Sequence, residues 1–299
     1  MRGGLMFGAG IITGNILGFI RAAVTAYLVG TDSSADALAV AIGPLDTLNQ
    51  ALAITMVFSF VPMLTERHGA ERTALFLQLY RIFARIFLLV TLTVMALAPQ
   101  LIRLLAPGLD PARFDDAVGL LRIASLSSVA AGVAAIHSAL LYTDRRFFPS
   151  AFYQATINLF TIAGALSLWR VLGIYGFAIG YAAGAGCLCA LVCFVARRGL
   201  DTRGLPPHPV AWRELVARPG VILTYAGFLA LNITVTRGYA THFGPGTAAA
   251  FEYSMRCVGV PLAFLISPLS NSLLPEIARL RSLNRIGDAW RLIDRTILL

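Results

Sequence analysis

The chain is 299 residues long, 58% hydrophobic and only 13% charged, with a mean hydropathy of +0.76. A soluble domain carries about 25% charged residues, so this composition excludes a water-covered globule and points to lipid as the solvent. The net charge of +9 comes entirely from arginines placed between apolar runs; they read as membrane-orientation signals, and a nucleic-acid partner is not expected.

A membrane helix needs ~20 apolar residues. On that basis the expected spans are 5–29, 37–64, 75–105, 116–142, 149–169, 174–196, 219–242 and 248–275. The first follows Arg2; its apolar run, Leu5 to Val29, is too long for a signal-peptide core and lacks a convincing cleavage site. Asn15 and Arg21 lie within it. The second opens near Asp36, where the helix dipole favours an acid and the side chain can cap, and encloses Asp46, Asn49, Gln50 and Thr55. The fourth opens on Asp115-Asp116, also read as a cap, and holds His137 alone on an apolar face, a packed residue rather than a proton relay. Gln154 and Asn158 fall in the fifth. Gly8 to Gly10, and Gly180 to Gly186 in the sixth, allow close helix approach. Neither is a phosphate loop, since no strand precedes it and no Lys-Ser/Thr follows.

Cys187, Cys189, Cys193 and Cys257 all sit in apolar runs, at spacings that suit neither a zinc site nor a disulfide framework. No metal, cofactor or catalytic residue is expected: no Ser/His/Asp set or pair of carboxylates with room for chemistry stands out. Residues 199–209, rich in Gly, Pro and Arg, read as the one real linker. The expected organisation is a six-helix transmembrane lobe at 1–198, a cytoplasmic linker at 199–218, and the start of a second lobe at 219–299, with two helices and an amphipathic segment. The chain stops at Leu299 in an apolar run that has only begun, and is therefore expected to be a fragment of a protein with at least 12 spans.

Alternate loops differ in arginine content. One set holds Arg2, Arg67, Arg72, Arg145, Arg146, Arg197, Arg198, Arg203, Arg213, Arg218, Arg279, Arg281 and Arg285; the other holds Arg103, Arg113, Arg170 and Arg237. The positive-inside rule places the first set, and the N-terminus, in the cytoplasm. Shifting the chain by 216 residues aligns Arg21 with Arg237, Gly30 with Gly246, Thr31 with Thr247 and Asp36 with Glu252. With a small gap, Val61 to Arg67 falls on Leu273 to Arg279. Six spans separate the copies, so both insert with the same orientation, as in transporters built from parallel repeats. The expected fold class is therefore all-α: a polytopic transmembrane helix bundle with one complete six-helix lobe and the first two helices of a second, parallel-repeat lobe.

Ionisable groups at membrane depth cost at least a few kcal/mol and face a cavity or a partner. Here they are Arg21, Asp46, Arg122, Arg237, Glu252 and Arg256, with Glu252 and Arg256 spaced i,i+4 for pairing. Two readings stand for Arg21 and Arg256: structural arginines that snorkel or pair, or a cationic cavity for an anionic substrate. A guanidinium fork suits phosphate bidentately. Asn15, Asn49 and the other midplane amides and hydroxyls would add neutral donors or bond neighbouring helices.

The order and spacing of several motifs resemble the MurJ (MviN) lipid II flippase family. These are Gly18-Phe19-Ile20-Arg21, Ala35-Asp36-Ala37, Phe60-Val61-Pro62 with Glu66, Ala106-Pro107-Gly108, Asn158, Tyr253-Ser254-Met255-Arg256, Pro261 and Leu274-Pro275. The resemblance runs through nearly all of the chain and covers the first eight or so of the family's fourteen helices. It implies a member of the multidrug/oligosaccharidyl-lipid/polysaccharide exporter superfamily in the bacterial inner membrane. Such a protein moves undecaprenyl-pyrophosphate-linked sugars, lipid II first among them, to the outer leaflet by alternating access. It implies Arg21 and Arg256 as pyrophosphate-binding residues, and it leaves cell-wall synthesis proteins open as partners. Asn15 and Asn49 stand as further substrate contacts, and Asp36, Glu252 and Arg237 as charge partners or gating residues. The chain departs from the pattern at Asn15, where typical members carry Arg, at Ala22, where they carry Asp, and near Leu48-Asn49, where they carry paired arginines. Those departures keep an exopolysaccharide or O-antigen flippase, or a divergent non-transporting paralogue, as alternatives.

Overall fold

The computed structural model describes residues 2–144, 146, 148–198, 200, 212–259, 287 and 290. No strand occurs among the described residues. The helices are α1 (Arg2–Leu28), α2 (Ser33–Thr65), α3 (Gly69–Ala96), α4 (Ala98–Leu105), α5 (Phe114–Thr143), α6 (Phe148–Ala151), α7 (Tyr153–Leu172), α8 (Tyr175–Arg197) and α9 (Trp212–Ala240). Residues 247–259 are helical too. Six of the described helices are long and apolar enough to cross a membrane, and they fall on the first six expected spans. The chain is thus an all-α, multi-pass membrane bundle. Of the eighth expected span, 260–275 lies outside the described residues. So do the linker core 201–211, the second copy of the Val61–Arg67 motif and, apart from 287 and 290, the amphipathic end.

Local chemistry sets the breaks. The α1–α2 turn passes through Gly30 in the left-handed region (φ 79°). Asp32, not Asp36, caps α2: its carboxylate accepts from the N–H groups of Ser34 (2.8 Å) and Ala35 (3.2 Å). The helix therefore starts at Ser33, four residues earlier than expected, and leaves Asp36 for another task. The expected single span 75–105 is two helices, divided at Leu97. Pro99 has no N–H to continue the α3 ladder and fits the first turn of a new helix.

α5 is the central helix, packed on α2, α3 and α8, while α7 joins α8 to α1 and α9 lies along α2. Accordingly 67% of the apolar stretch of α5 is buried, against 11% for α1. Lipid tails give helices no hydrophobic reason to associate, so close backbone approach matters instead. At the α7–α8 contact a Cβ on Gly164 would lie 2.6 Å from the Gly176 carbonyl oxygen, and one on Gly180 would overlap the Phe160 carbonyl. Gly180→Val is expected to wedge these helices apart at a cost of about 1–3 kcal/mol. Gly186→Val, which meets open space, should leave the thermal midpoint in detergent unchanged; equal midpoints for the two variants would contradict this packing.

Two apolar clusters fill the bundle. One gathers Leu38, Ile42 and Leu45 of α2 with Leu120, Leu121 and Ala124 of α5. The other gathers Leu52, Met56 and Phe60 of α2 with Ala135, Ile136 and Leu140 of α5. Between them, Asp46 and Asn49 on α2 and Ser125, Ser127 and Ser128 on α5 form a buried polar belt. Contacts divide the chain into two compact units, Met1–Ser254 and Met255–Leu299. Within the second unit, 255–259, 287 and 290 are described.

Candidate functional site

The polar belt is organised around Arg21. Its Nη2 lies 3.4 Å from Asp46 Oδ2, and both side chains are largely buried. The other carboxylate oxygen, Asp46 Oδ1, accepts from the Tyr181 hydroxyl at 3.3 Å. Asn49 Nδ2 donates to that hydroxyl oxygen (3.2 Å) and to Ser127 Oγ (2.9 Å). The chain of contacts thus runs from α1 through α2 to α8 and α5. Arg21 Nη1 is buried with no hydrogen-bond partner. A buried guanidinium that spends only part of its fork retains donors at membrane depth. Asn158 Nδ2, from α7, donates to the Gly14 carbonyl (3.0 Å) and ties α7 to α1.

A second constellation joins the two aligned turns. The carboxylate of Asp36 accepts from the N–H of Gly246 (2.6 Å) through Oδ2 and from the N–H of Ala249 (2.8 Å) through Oδ1. Gly246 precedes the helix 247–259 and has no side chain to cap it, so the carboxylate from α2 takes over the capping role. Gly246 also sits at φ 85°, and a Cβ there would overlap the Thr31 carbonyl. Tyr253 donates its hydroxyl to the Gly30 carbonyl (2.9 Å). On the same side Gly108 N–H donates to Thr241 Oγ1 (3.0 Å).

Arg237 of α9 pairs with Glu252, Nη2 to Oε2 at 2.6 Å, and is 4% exposed. Its guanidinium lies flat against α2 at Gly43, where a Cβ would fall 2.5 Å from Nη1. Glu252, expected beside Arg256, thus has Arg237 as an ion-pair partner. Asn49 is in the Arg21 network. Asn15 is partly buried on α1, but six residues at about 100° each turn it away from the Arg21 face. Arg256 is helical in the second unit. Of the remaining charged and polar candidates, Arg122 donates Nε to the Met95 carbonyl (3.2 Å). His137 is buried, with Nδ1 donating to the Val133 carbonyl (2.8 Å) and its ring edge-on to Phe76 and Tyr80. Asp116 takes Arg113 (3.1 Å) and the Tyr175 hydroxyl (3.3 Å) as partners.

Sequence reasoning missed Tyr181, Ser127 and the hydroxyl of Tyr253. Tyr181 stands as the single large polar residue in the small-residue run of α8, and that isolation is the one signal that could have flagged it.

These features define the class: a polytopic helical membrane protein with buried charges paired across helices, in which the turn at Gly30-Thr31 meets the turn at Gly246-Thr247. The family model described as Lipid II flippase MurJ matches residues 25–299, and the chain belongs to that family. A probable lipid II flippase MurJ of Rhizobium meliloti (strain 1021) is 26% identical over 309 residues, covering 97% of this chain and 57% of the relative. The Aquifex aeolicus (strain VF5) relative of the same description is 23% identical over 288 residues, covering 93% of this chain and 56% of its own length. The chain therefore spans a little over half the length of the curated relatives it matches. A solved structure titled "Lipid II flippase MurJ, inward closed conformation" shares the fold, with a TM-score of 0.80 and 21% identity over 93% of this chain and 59% of that one.

Proposed function

We propose that this chain is the N-terminal part of a lipid II flippase. It carries an undecaprenyl-pyrophosphate-linked glycan from the cytoplasmic to the outer leaflet of the bacterial inner membrane by alternating access, with its N-terminus in the cytoplasm. Family membership over 25–299 carries this reading. The arginine bias of alternate loops supports the orientation. Contact between the turns at Gly30-Thr31 and Gly246-Thr247 supports the layout of a six-helix lobe at 1–198, a linker at 199–218 and a second lobe from 219, because copies related by an axis along the membrane normal meet at equivalent points. Arg21 and Arg256 bind the pyrophosphate, with Asn49 behind Arg21 in the same buried network. Asp36, Arg237 and Glu252 act as charge partners or gating residues at the end where the two aligned turns meet. Proteins of cell-wall synthesis are its partners.

In cells depleted of their own flippase, the full-length protein is expected to restore growth. Arg21→Ala and Arg256→Ala should each abolish rescue at unchanged membrane levels. Full rescue by both variants would overturn the pyrophosphate-binding role.

A further inference from the structure

We propose that Asp46 is a positioning residue for Arg21, held in place by Tyr181 and Asn49, and that it aims the guanidinium at the pyrophosphate of the substrate; this rests on the function proposed above. Four observations carry it. Arg21 sits on α1, the least buried of the six spans, so an unpartnered guanidinium there would swing out toward an interface. Asp46 is buried and takes one arm of the fork, Nη2, from the adjacent helix. Nη1 is left with hydrogens and no acceptor, which suits a second, incoming oxyanion on the same planar fork. Finally, the Asp46 carboxylate is itself fixed: its second oxygen is held by Tyr181, which is fully buried and bonded to Asn49, which is bonded in turn to Ser127 of the central helix.

The arrangement is a chain of supports. Ser127 orients Asn49, Asn49 and Asp46 orient the Tyr181 hydroxyl, and the carboxylate fixes Arg21. Such supporting contacts keep a binding group within the narrow geometry that recognition needs. They also make the local pair neutral in the empty protein, which lowers the cost of keeping Arg21 at membrane depth.

The test is a double-mutant cycle on the full-length protein in nanodiscs, read as the affinity for undecaprenyl-pyrophosphate-linked disaccharide and, separately, as the thermal midpoint. Asp46→Asn is expected to weaken binding about tenfold in the parent and not at all when Arg21 is already alanine. Asp46→Glu should recover most of the loss. Tyr181→Phe, which keeps the ring and removes only the hydroxyl, should weaken binding about threefold at a near-parental midpoint. Unchanged or tighter binding by Asp46→Asn, or an equal loss in the Arg21→Ala background, overturns the positioning role. If Arg21→Ala alone leaves binding unchanged, it is the pyrophosphate role of Arg21 that fails, and the two failures are told apart within the one cycle.

Discussion

Asp36→Ala is expected to loosen the end at which the two aligned turns meet. Its carboxylate serves two backbone N–H groups at the start of the helix 247–259, and Gly246 offers no cap of its own. A hydrogen bond to a charged group contributes about 1.5–3 kcal/mol net. Losing two coupled ones, with water replacing part of the loss, should cost the closed arrangement about 3 kcal/mol, or roughly a hundredfold in the equilibrium between closed and open forms. Spin labels at Thr31 and His242, both exposed, would report this in the full-length protein freed of its native cysteines. The parent should give a dominant short distance, and Asp36→Ala a longer population. Asp36→Asn keeps one acceptor oxygen and should fall between. An unchanged distance distribution in Asp36→Ala would remove the carboxylate from any gating role.

Gly246→Val should have the other large effect. Two independent constraints act at this residue: a backbone at φ 85°, and a Thr31 carbonyl where the Cβ would stand. A β-branched residue in the left-handed region costs about 1–3 kcal/mol, and the overlap adds to it by pushing the two turns apart. Rescue of flippase-depleted cells is expected to fail at normal membrane levels. Gly244→Val separates the two terms. Gly244 is also in the left-handed region, at φ 112°, but a Cβ there meets nothing within 4 Å. If Gly244→Val and Gly246→Val fail equally, backbone strain alone is responsible and close contact at Thr31 is not needed.

The spans were legible because length and hydropathy are local properties. A helix that must cross ~30 Å of hydrocarbon writes ~20 apolar residues into the sequence, and the six described spans lie where those runs are. Helix starts were less legible. Asp32 and Asp36 are equally good caps by residue type, and only the actual backbone shows that Asp32 caps α2. The site was legible in part. Charges at membrane depth announce themselves by their cost, so Arg21, Asp46, Arg237 and Glu252 stood out. Their partners did not. Asp36 meets Gly246 across 210 residues of chain and Asn49 meets Tyr181 across 132, and no spacing rule spans such separations. Nor did any spacing rule point to the ion pair of Glu252 with Arg237, fifteen residues back on α9.

The polar belt between the two apolar clusters has a consequence for how the helices find each other. In lipid, one leucine-lined face slides past another with little penalty, since a methyl group is equally at home against protein or acyl chain. A bundle held only by its two apolar layers could settle with α5 displaced by a turn, ~5.4 Å, relative to α2. Asn49 and Ser127 forbid that. A one-turn slip would break the Asn49–Ser127 bond, leaving Asn49 with Tyr181 alone and setting Ser127 among apolar side chains, an unfavourable exchange at membrane depth. The belt acts as the index mark of the bundle, a single depth at which α2, α5 and α8 agree.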